Sequence, residues 1–400
     1  MSAPTSFVLS GGGARGAYEV GVLSYIFGDF VRRTGRVPEL GVVSGSSVGA
    51  VNAAFLASVA HDPVAGLRRL TDICYQLEVS QVFAFGVKEL TGLHRVWLGG
   101  GQPAGVFNAA PLAKLIGQDM SWLSLARNVR RGRVRALTVA TTHVSTGDPH
   151  VFVDLCPKYA SPDNVGRQVV MQNAHIRPEH VLASAAIPVV FPVVEVDGEL
   201  HCDGGLRMNT PTAPSIHLGA EKLFVVGLSC DPDAKSTPSI ATDRAPGVSF
   251  LAGKILDAFF LDGVDEDLHG IERINRYMAM GTRLYGPDFV ERMNGEAERS
   301  GSPVRRPIPY AVVRPSVDLG RLAREYLSEQ DKILGEGALM RTLLKLLDVG
   351  EAAEADLASF LLFDAKYARV LIELGRRDAA ARHDELSDFF FGSPSWGDLA

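Results

Sequence analysis

A serine stands at the centre of a Gly-x-Ser-x-Gly sequence near the start of the chain, in the segment Gly45-Ser46-Ser47-Val48-Gly49. It lies between a predicted strand at 40–44 and a predicted helix that reaches about residue 60. A sharp turn between a strand and a helix is the setting in which this motif presents a serine hydroxyl as a nucleophile, and the flanking glycines let the two elements pass closely. Because 41 glycines make the motif common by chance, it is this setting that favours Ser47 as a nucleophile.

A glycine-rich run, Gly11-Gly12-Gly13-Ala14-Arg15-Gly16, follows the apolar segment 6–10 and opens a helical pattern. Its spacing fits two functions. As a Gly-x-Gly-x-x-Gly fingerprint, it would bring the backbone close to the pyrophosphate of a dinucleotide. As a loop of exposed N–H groups, it would stabilise the oxyanion that forms during acyl transfer. A dinucleotide-binding protein needs an acidic residue at the end of its second strand, where this chain has Ser44-Gly45-Ser46-Ser47, and this counts against the first function.

An aspartate followed by two glycines, Asp203-Gly204-Gly205, comes after a predicted strand that ends at Cys202. The ordinary interpretation is a turn, and the catalytic one is a carboxylate held at a strand end as the base for a serine. A free aspartate has a pKa of about 3.9 and is a weak base, so the pair would need exclusion of water and strong stabilisation of the oxyanion. The histidines after Asp203 are at positions 217, 269 and 383, and none has the signature of a strand-end loop. This pattern favours a Ser–Asp dyad over a Ser-His-Asp triad.

The elements that must position these motifs follow from hydrophobic periodicity. Short apolar runs alternate with helical patterns in the first sixty residues, which predicts a parallel sheet with crossover helices. Residues 40–60 contain no charged residue over about the length of a membrane span. Their hydrophobic pattern changes from that of a strand to that of a helix, however, which indicates a buried strand followed by a buried helix. The second half is predicted to be mostly helical, with a mobile loop at 294–307. Further strands are predicted at 136–144 and 150–155, which form a hairpin, and at 222–229 and 308–314.

Composition and charge exclude several classes of protein. A chain with 46% hydrophobic and 22% charged residues is not disordered, and a net charge of −6 counts against a nucleic-acid binder. The four cysteines show no zinc-site spacing and suit a reducing compartment, so we expect a cytoplasmic location and no secretory signal. No calcium-loop sequence occurs either, and we expect neither a metal nor an organic cofactor.

Taken in this order, Gly11–Gly16, Gly45–Gly49 and Asp203–Gly205 resemble the motifs of the patatin-like phospholipase family, and residues 183–211 resemble its sequence around the aspartate. The resemblance implies an α/β fold, a three-layer α/β/α sandwich with a mostly parallel central sheet and a helical C-terminal region. It also implies hydrolysis of fatty-acyl esters in lipids. In that case Ser47 is the nucleophile and Asp203 is its base. The oxyanion hole then comprises Gly11, Gly12 and Gly13, supported by Arg15, and the other motif glycines are Gly16, Gly45, Gly49, Gly204 and Gly205.

The resemblance covers about residues 6–230, which we predict to be the catalytic domain. Residues 231–315 are predicted to continue the core with helices and a strand, and residues 316–400 to form a C-terminal helical region. The expected substrate is a phospholipid or another acyl-ester lipid, cleaved in the manner of a phospholipase A or a lysophospholipase, with peripheral contact to a membrane. The alternatives are an acyltransferase on the same fold and a dinucleotide-binding oxidoreductase that uses Gly11–Gly16.

Two apolar segments have open interpretations. Residues 79–107 are rich in aromatic and aliphatic side chains, which either line an acyl channel, dip into a bilayer, or pack as a core or lid. The aromatic run Phe389–Phe391 near the end of the chain either docks into a groove or packs on the last helix.

Overall fold

Nine strands form one sheet in the residues that the computed structural model describes, which are 4–82, 108–159, 169–188, 190–230, 263–302, 304–330 and 359–392. In chain order the strands are β1 (Thr5–Leu9), β2 (Val42–Ser46), β3 (Ala136–His143), β4 (Pro149–Leu155), β5 (Val170–Asn173), β6 (Val194–Val196), β7 (Glu199–Asp203), β8 (Lys222–Val226) and β9 (Tyr310–Val313). Their order across the sheet is β5-β4-β3-β2-β1-β8-β9, and the β6–β7 hairpin is attached at β3.

The pairing within this sheet is mostly parallel. β1 lies between β2 and β8 and is parallel to both, and the pairs β2–β3, β8–β9 and β4–β5 are parallel as well. Antiparallel pairing occurs at β3–β4, β3–β7 and β6–β7. The predicted fold class is confirmed. Because β1, β2 and β3 run in one direction, their carboxyl ends meet at the same edge of the sheet, and the first two motifs follow two of these ends.

Helices cover both faces of the sheet. They are α1 (Ala17–Tyr25), α2 (Val31–Thr34), α3 (Val48–Ser58), α4 (Pro63–Cys74), α5 (Val79–Val82), α6 (Ala110–Asp119), α7 (Trp122–Arg130), α8 (Pro178–Ser184), α9 (Thr212–His217), α10 (Gly263–Tyr285), α11 (Phe289–Arg299), α12 (Leu319–Gln330), α13 (Ala365–Ala381) and α14 (His383–Phe391). Successive side chains of β1 enter different cores: Phe7 and Leu9 join the core beneath α1, α3 and α13, whereas Val8 joins the one beneath α10. Side chains alternate between the two faces of a strand, so both faces of this sheet are buried at β1.

The second strand and the segment 294–307 are among the places where the structure differs from the sequence prediction. The second strand begins at Val42 and continues to Ser46, two residues beyond the predicted end, so that it runs directly into the turn at Ser47. The predicted mobile loop at 294–307 is wrong in its first half, because α11 continues to Arg299. The rest of that segment is tied down, since the amide of Asn294 both donates to and accepts from the backbone of Arg305.

The C-terminal helices pack on the sheet core. α13 lies against α1 so closely that a Cβ atom at Gly21 would clash with the carbonyl oxygen of Ile372, and one at Gly375 would clash with that of Tyr18. The ring of Phe390 in α14 stacks on Phe7 with centroids 5.9 Å apart, so the aromatic run docks on this chain's own core. The domain boundaries at residues 230 and 315 stay a prediction. Over the described ranges, no helix has the length and apolar character needed to cross a membrane.

Candidate active site

Ser47 occupies a strained turn between β2 and α3. Its backbone has φ 52° and ψ −128°, a conformation that costs a non-glycine residue about 1–3 kcal/mol and is concentrated at functional sites. The glycines on either side make the turn sterically feasible. A Cβ atom at Gly45 would clash with the carbonyl oxygen of Gly49, and one at Gly49 would clash with the carbonyl oxygen of Leu9. The two glycines of the Gly-x-Ser-x-Gly sequence therefore allow β2 and α3 to pass each other closely, as the motif predicts.

The hydroxyl of Ser47 donates a hydrogen bond of 2.6 Å to Oδ2 of Asp203. Sheet register brings the two together across 156 residues. β2 places Ser46 beside Ala140 of β3, and the antiparallel strand β7 places Asp203 beside Thr141, the next residue of β3. The nucleophile predicted from the second motif and the base predicted from the third thus lie in direct contact.

The second oxygen of Asp203 is fixed by the backbone. The N–H group of Gly205 donates to Oδ1 over 2.7 Å, and the hydroxyl of Thr142 donates to the carbonyl oxygen of Asp203. A Cβ atom at Gly204 would clash with the carbonyl oxygen of Ala140, so the Asp-Gly-Gly sequence is needed for β7 to approach β3. With both oxygens bonded, the carboxyl group cannot rotate away from Ser47.

Burial changes the base strength of Asp203. The residue is completely buried, and this desolvation raises its pKa to about 7, against the opposing effect of the hydrogen bonds from Ser47 and Gly205. A carboxylate with this pKa is a much stronger base than a free aspartate. The structure thus provides the exclusion of water that a Ser–Asp pair needs.

The glycine-rich loop faces the serine. Gly13 has φ 56°, and a Cβ atom there would clash with the carbonyl oxygen of Phe360. Within the described ranges, the backbone N–H groups of Gly12 and Gly13 donate to no protein acceptor. The sequence predicts a third oxyanion donor at Gly11, but its N–H group donates to the carbonyl oxygen of Asn209 over 3.1 Å. That bond makes Gly11 an anchor of the loop.

Arg15 is buried below this loop. Its Nε donates to the hydroxyl of Ser359 over 2.8 Å, and its guanidinium lies 3.8 Å from the ring centroid of Phe360. Its backbone N–H closes the loop on the carbonyl oxygen of Gly12. The arginine therefore connects the glycine loop to a C-terminal segment.

An apolar cavity of about 140 Å³ opens at the serine. Its polar members include Ser47 and Asn52, and the rest of its wall is mainly aliphatic and aromatic. The C-terminal region, for which the sequence indicates no motif, contributes to this wall through Leu362, Phe363 and Ala368. Of the apolar segment 79–107, only residues 79–82 are described, and Val82 lines the cavity; the remaining predicted channel residues lie outside the described ranges.

Two functional contacts were missed by the sequence interpretation. Ser184, at the end of α8, accepts a hydrogen bond from the backbone N–H of Ser47 and donates to the carbonyl oxygen of Ala140. It holds the strained turn, and its place in the stretch 183–211 is the signal that could have identified it. Beneath the glycine loop, the amide of Asn52 donates to both the buried carboxyl group of Glu19 and the carbonyl oxygen of Gly16.

The described histidines lie apart from the predicted pair of Ser47 and Asp203. Among the described residues no histidine bonds to Ser47 or Asp203, and His201, which precedes the aspartate by two residues, is bonded to Thr141. Side chains of types that can bind a metal converge elsewhere on the sheet, where His150, Glu199 and His201 each place one nitrogen or oxygen atom within 4.8 Å of the others.

Comparisons with known proteins identify the family of this chain. A family model described as patatin-like phospholipase matches residues 7–216, which include all three motifs. Among solved structures, VipD from Legionella pneumophila is similar with a TM-score of 0.36 and 12% identity, over 96% of this chain and 67% of that one. The ExoU–SpcU complex from Pseudomonas aeruginosa is similar with a TM-score of 0.30 and 16% identity, over 100% of this chain and 74% of that one. No curated protein sequence matches. Because the family match spans more than half of the chain, the protein belongs to the patatin-like phospholipase family.

Proposed function

We propose that this protein hydrolyses fatty-acyl esters of lipids through an acyl-enzyme formed on Ser47, with Asp203 as the only side-chain base. Family membership supports the reaction class. The observation that carries the mechanism is the 2.6 Å hydrogen bond to Asp203 from Ser47, which lines an apolar cavity. The dinucleotide alternative loses support, because the family match includes Gly11–Gly16.

In the first half-reaction, Asp203 accepts the hydroxyl proton of Ser47 as the serine oxygen attacks the ester carbonyl carbon. The carbonyl electrons move onto oxygen, and the backbone N–H groups of Gly12 and Gly13 are the donors for that oxyanion. When the intermediate collapses, the alcohol leaves with the proton that Asp203 returns. The acyl group remains on Ser47.

In the second half-reaction, water replaces the alcohol. Asp203 takes a proton from the water molecule, whose oxygen attacks the acyl carbon. The intermediate collapses to release the fatty acid, and the proton returns to Ser47. Because the base needs to be ionised only at the moment of attack, a pKa of about 7 is matched to neutral pH.

The substrate follows from the cavity wall. A pocket with mainly aliphatic and aromatic lining suits an alkyl chain, and its few hydrogen-bonding side chains include Ser47, Asn52 and Asp119. Headgroup-side contacts would then lie outside the pocket. We infer a phospholipase A or lysophospholipase activity, in which the acyl chain enters the cavity and the ester reaches Ser47.

The test is release of fatty acid from phospholipid vesicles and from a soluble short-chain ester, followed by mass spectrometry. Ser47→Ala and Asp203→Asn should each abolish release, and the double variant should be little worse because the pair acts as a unit. Ser46→Ala is the matched control, since this neighbouring hydroxyl has no partner among the described residues. Substantial activity in folded Ser47→Ala would contradict the mechanism.

The products distinguish the remaining alternative. With an added alcohol such as glycerol or a lysophospholipid, a hydrolase still releases mainly free fatty acid, whereas an acyltransferase forms the new ester.

Activity on the soluble ester should survive chelation of calcium. Loss of activity with a chelator, restored by calcium, would contradict a dyad that works without this ion.

A further inference from the structure

Four histidines converge on the sheet beside the dyad, although they are far apart in sequence. The rings of His143, His150 and His180 are joined through His201 and Phe152, with neighbouring ring centroids 4.6–5.4 Å apart. They come from β3, β4, α8 and β7. The proposed hydrolysis uses none of them.

Three side chains of this cluster are close enough to share one ion. His150, Glu199 and His201 each offer one ligand atom, and these atoms all lie within 4.8 Å of one another. His143 borders the same place, because its Nε2 lies 3.7 Å from Oε2 of Glu199 and it pairs directly with His201 across the strands. Two imidazoles and one carboxylate are a donor set that binds zinc, often with a fourth ligand or water.

Hydrogen bonds fix the orientation of each imidazole ring. Nδ1 of His201 is bonded to the hydroxyl of Thr141 at 3.1 Å, and Nε2 of His150 is bonded to Oε1 of Gln172 at 2.9 Å. Nδ1 of His143 is bonded to the hydroxyl of Thr146. In each ring one nitrogen is held by a neutral partner and the other is left for the cluster. Outer partners of this kind orient metal-ligating histidines.

Glu199 is the exposed member of the cluster, whereas His150 and His201 are buried. Glu199 supplies negative charge, and its side chain is 58% exposed, which leaves an entry from solvent.

We propose that His150, Glu199 and His201, with His143 alongside, form a site for one divalent transition-metal ion of the zinc class. The ion would link β7 to β4 and so hold the β6–β7 hairpin, which ends at Asp203, against the sheet. No linear motif reveals this site, because its ligands come from different strands. The ion takes no part in the proposed hydrolysis.

Binding can be measured on chelator-treated full-length protein by calorimetric titration with Zn²⁺, and with Co²⁺ by its visible absorption. The wild type should bind one ion per chain. Glu199→Gln and His150→Gln should weaken binding at least 100-fold. Thr141→Val removes the hydroxyl that bonds to Nδ1 of His201 and to the carbonyl oxygen of His150, and it should weaken binding about 10- to 100-fold. Because Glu199 is exposed, its variant should fold normally.

Matched controls are exposed residues of the same types outside the cluster. Glu195→Gln, on the same hairpin, and His269→Gln, on α10, are exposed positions outside the cluster and should bind as the wild type does. Ser47→Ala should also keep its metal affinity, so failure of the proposed hydrolysis and failure of this site are distinguishable. Zn²⁺ should raise the melting temperature of the wild type but not that of Glu199→Gln. Absence of saturable binding in the wild type, or equal binding by Glu199→Gln, would overturn the proposal.

Discussion

At the scale of single residues, catalysis and stability make opposite demands on Asp203. The base must be ionised to accept a proton, yet complete burial favours its neutral form and raises its pKa to about 7. The same burial makes the carboxylate a competent base once it is ionised. Two predictions follow from this conflict, one on the rate and one on the stability.

The first prediction concerns the pH dependence of hydrolysis. Because only the ionised form of Asp203 can accept the proton of Ser47, kcat/KM on a soluble ester should rise about tenfold per pH unit and level off above pH 7. The profile should be measured from pH 5 to 9 with a chelator present, and the enzyme should be shown to stay folded throughout. A plateau already reached at pH 5 would show that the base has an ordinary carboxyl pKa.

The second prediction concerns unfolding. The folded state holds the proton of Asp203 up to about pH 7, whereas the unfolded chain releases it near 3.8. The stability contributed by this group is therefore full at low pH and is lost as the pH rises towards 7. An asparagine does not titrate, so Asp203→Asn lacks this pH-dependent loss of stability. The free energy of unfolding of the variant minus that of the wild type should therefore increase from pH 5 to pH 7.5 by on the order of 2–3 kcal/mol.

Urea unfolding of both proteins at the two pH values measures this difference. Equal m-values would show that the comparison refers to the same transition. An advantage that shrinks with rising pH would mean that Asp203 is stabilised in its ionised form, contrary to its burial.

The third prediction concerns the oxyanion loop. A Cβ atom at Gly12 would lie 2.6 Å from Cδ1 of Leu228, so a valine there must shift either the buried Leu228 side chain or the loop that carries the proposed oxyanion donors. Gly12→Val should lower kcat on a short-chain ester by about 10²-fold or more, the effect of losing one oxyanion donor. Arg15→Ala should have a smaller effect, because Arg15 acts through its contacts with Ser359 and Phe360.

Gly117→Val is the control for this substitution, since a Cβ atom at Gly117 has no neighbour within 4 Å. Normal turnover in Gly12→Val would assign the loop a function other than oxyanion stabilisation.

At the scale of elements, the packing of α13 on α1 connects the C-terminal region to the site. A Cβ atom at Gly21 would clash with the backbone of α13 at Ile372. Gly21→Ala should therefore lower the free energy of unfolding by about 1–3 kcal/mol through overpacking. The control is Gly270→Ala in α10, where a Cβ atom meets nothing within 4 Å and the helix should gain up to about 1 kcal/mol. Denaturant unfolding distinguishes the two, and an unchanged stability in Gly21→Ala would mean that the helices can separate at little cost.

At the scale of the whole molecule, local signals in the sequence predicted the frame of the site. The apolar run before Gly11 forms β1, and the hydrophobic pattern and glycines around Ser47 form the predicted strand, turn and helix. The Asp-Gly-Gly sequence and the positions of the histidines make Asp203 a candidate base, but nothing local in the sequence shows that β7 lies beside β3, and the family resemblance is what links Asp203 to Ser47 specifically.

The features that the sequence did not predict depend on contacts over long separations. Ser184 lies 137 residues from the serine whose backbone it bonds. The C-terminal wall of the cavity depends on the docking of α13 against α1, which is specified by small residues rather than by a motif. The histidine cluster is assembled by strand register.

The C-terminal helices should be necessary for a folded enzyme. Tyr18 bonds to Asp378 through its hydroxyl, and Phe7 stacks on Phe390, so a chain that ends at residue 330 would expose the core beneath them. Such a chain should lose both its cooperative unfolding transition and its hydrolysis. Circular dichroism with thermal unfolding tests this, and a shortened chain with the wild-type transition and rate would show that the family-matched region is sufficient.

The central claim is that Ser47 is a nucleophile activated by Asp203, and a fluorophosphonate probe tests it most directly. The probe reacts with an activated serine oxygen and releases fluoride, and intact-mass and peptide spectrometry locate the adduct. We predict one adduct per chain, on Ser47, in the wild type and in Ser46→Ala, none in Ser47→Ala, and strongly slowed labelling in Asp203→Asn. An unlabelled but folded wild type, or an adduct formed equally in Ser47→Ala, would contradict the account.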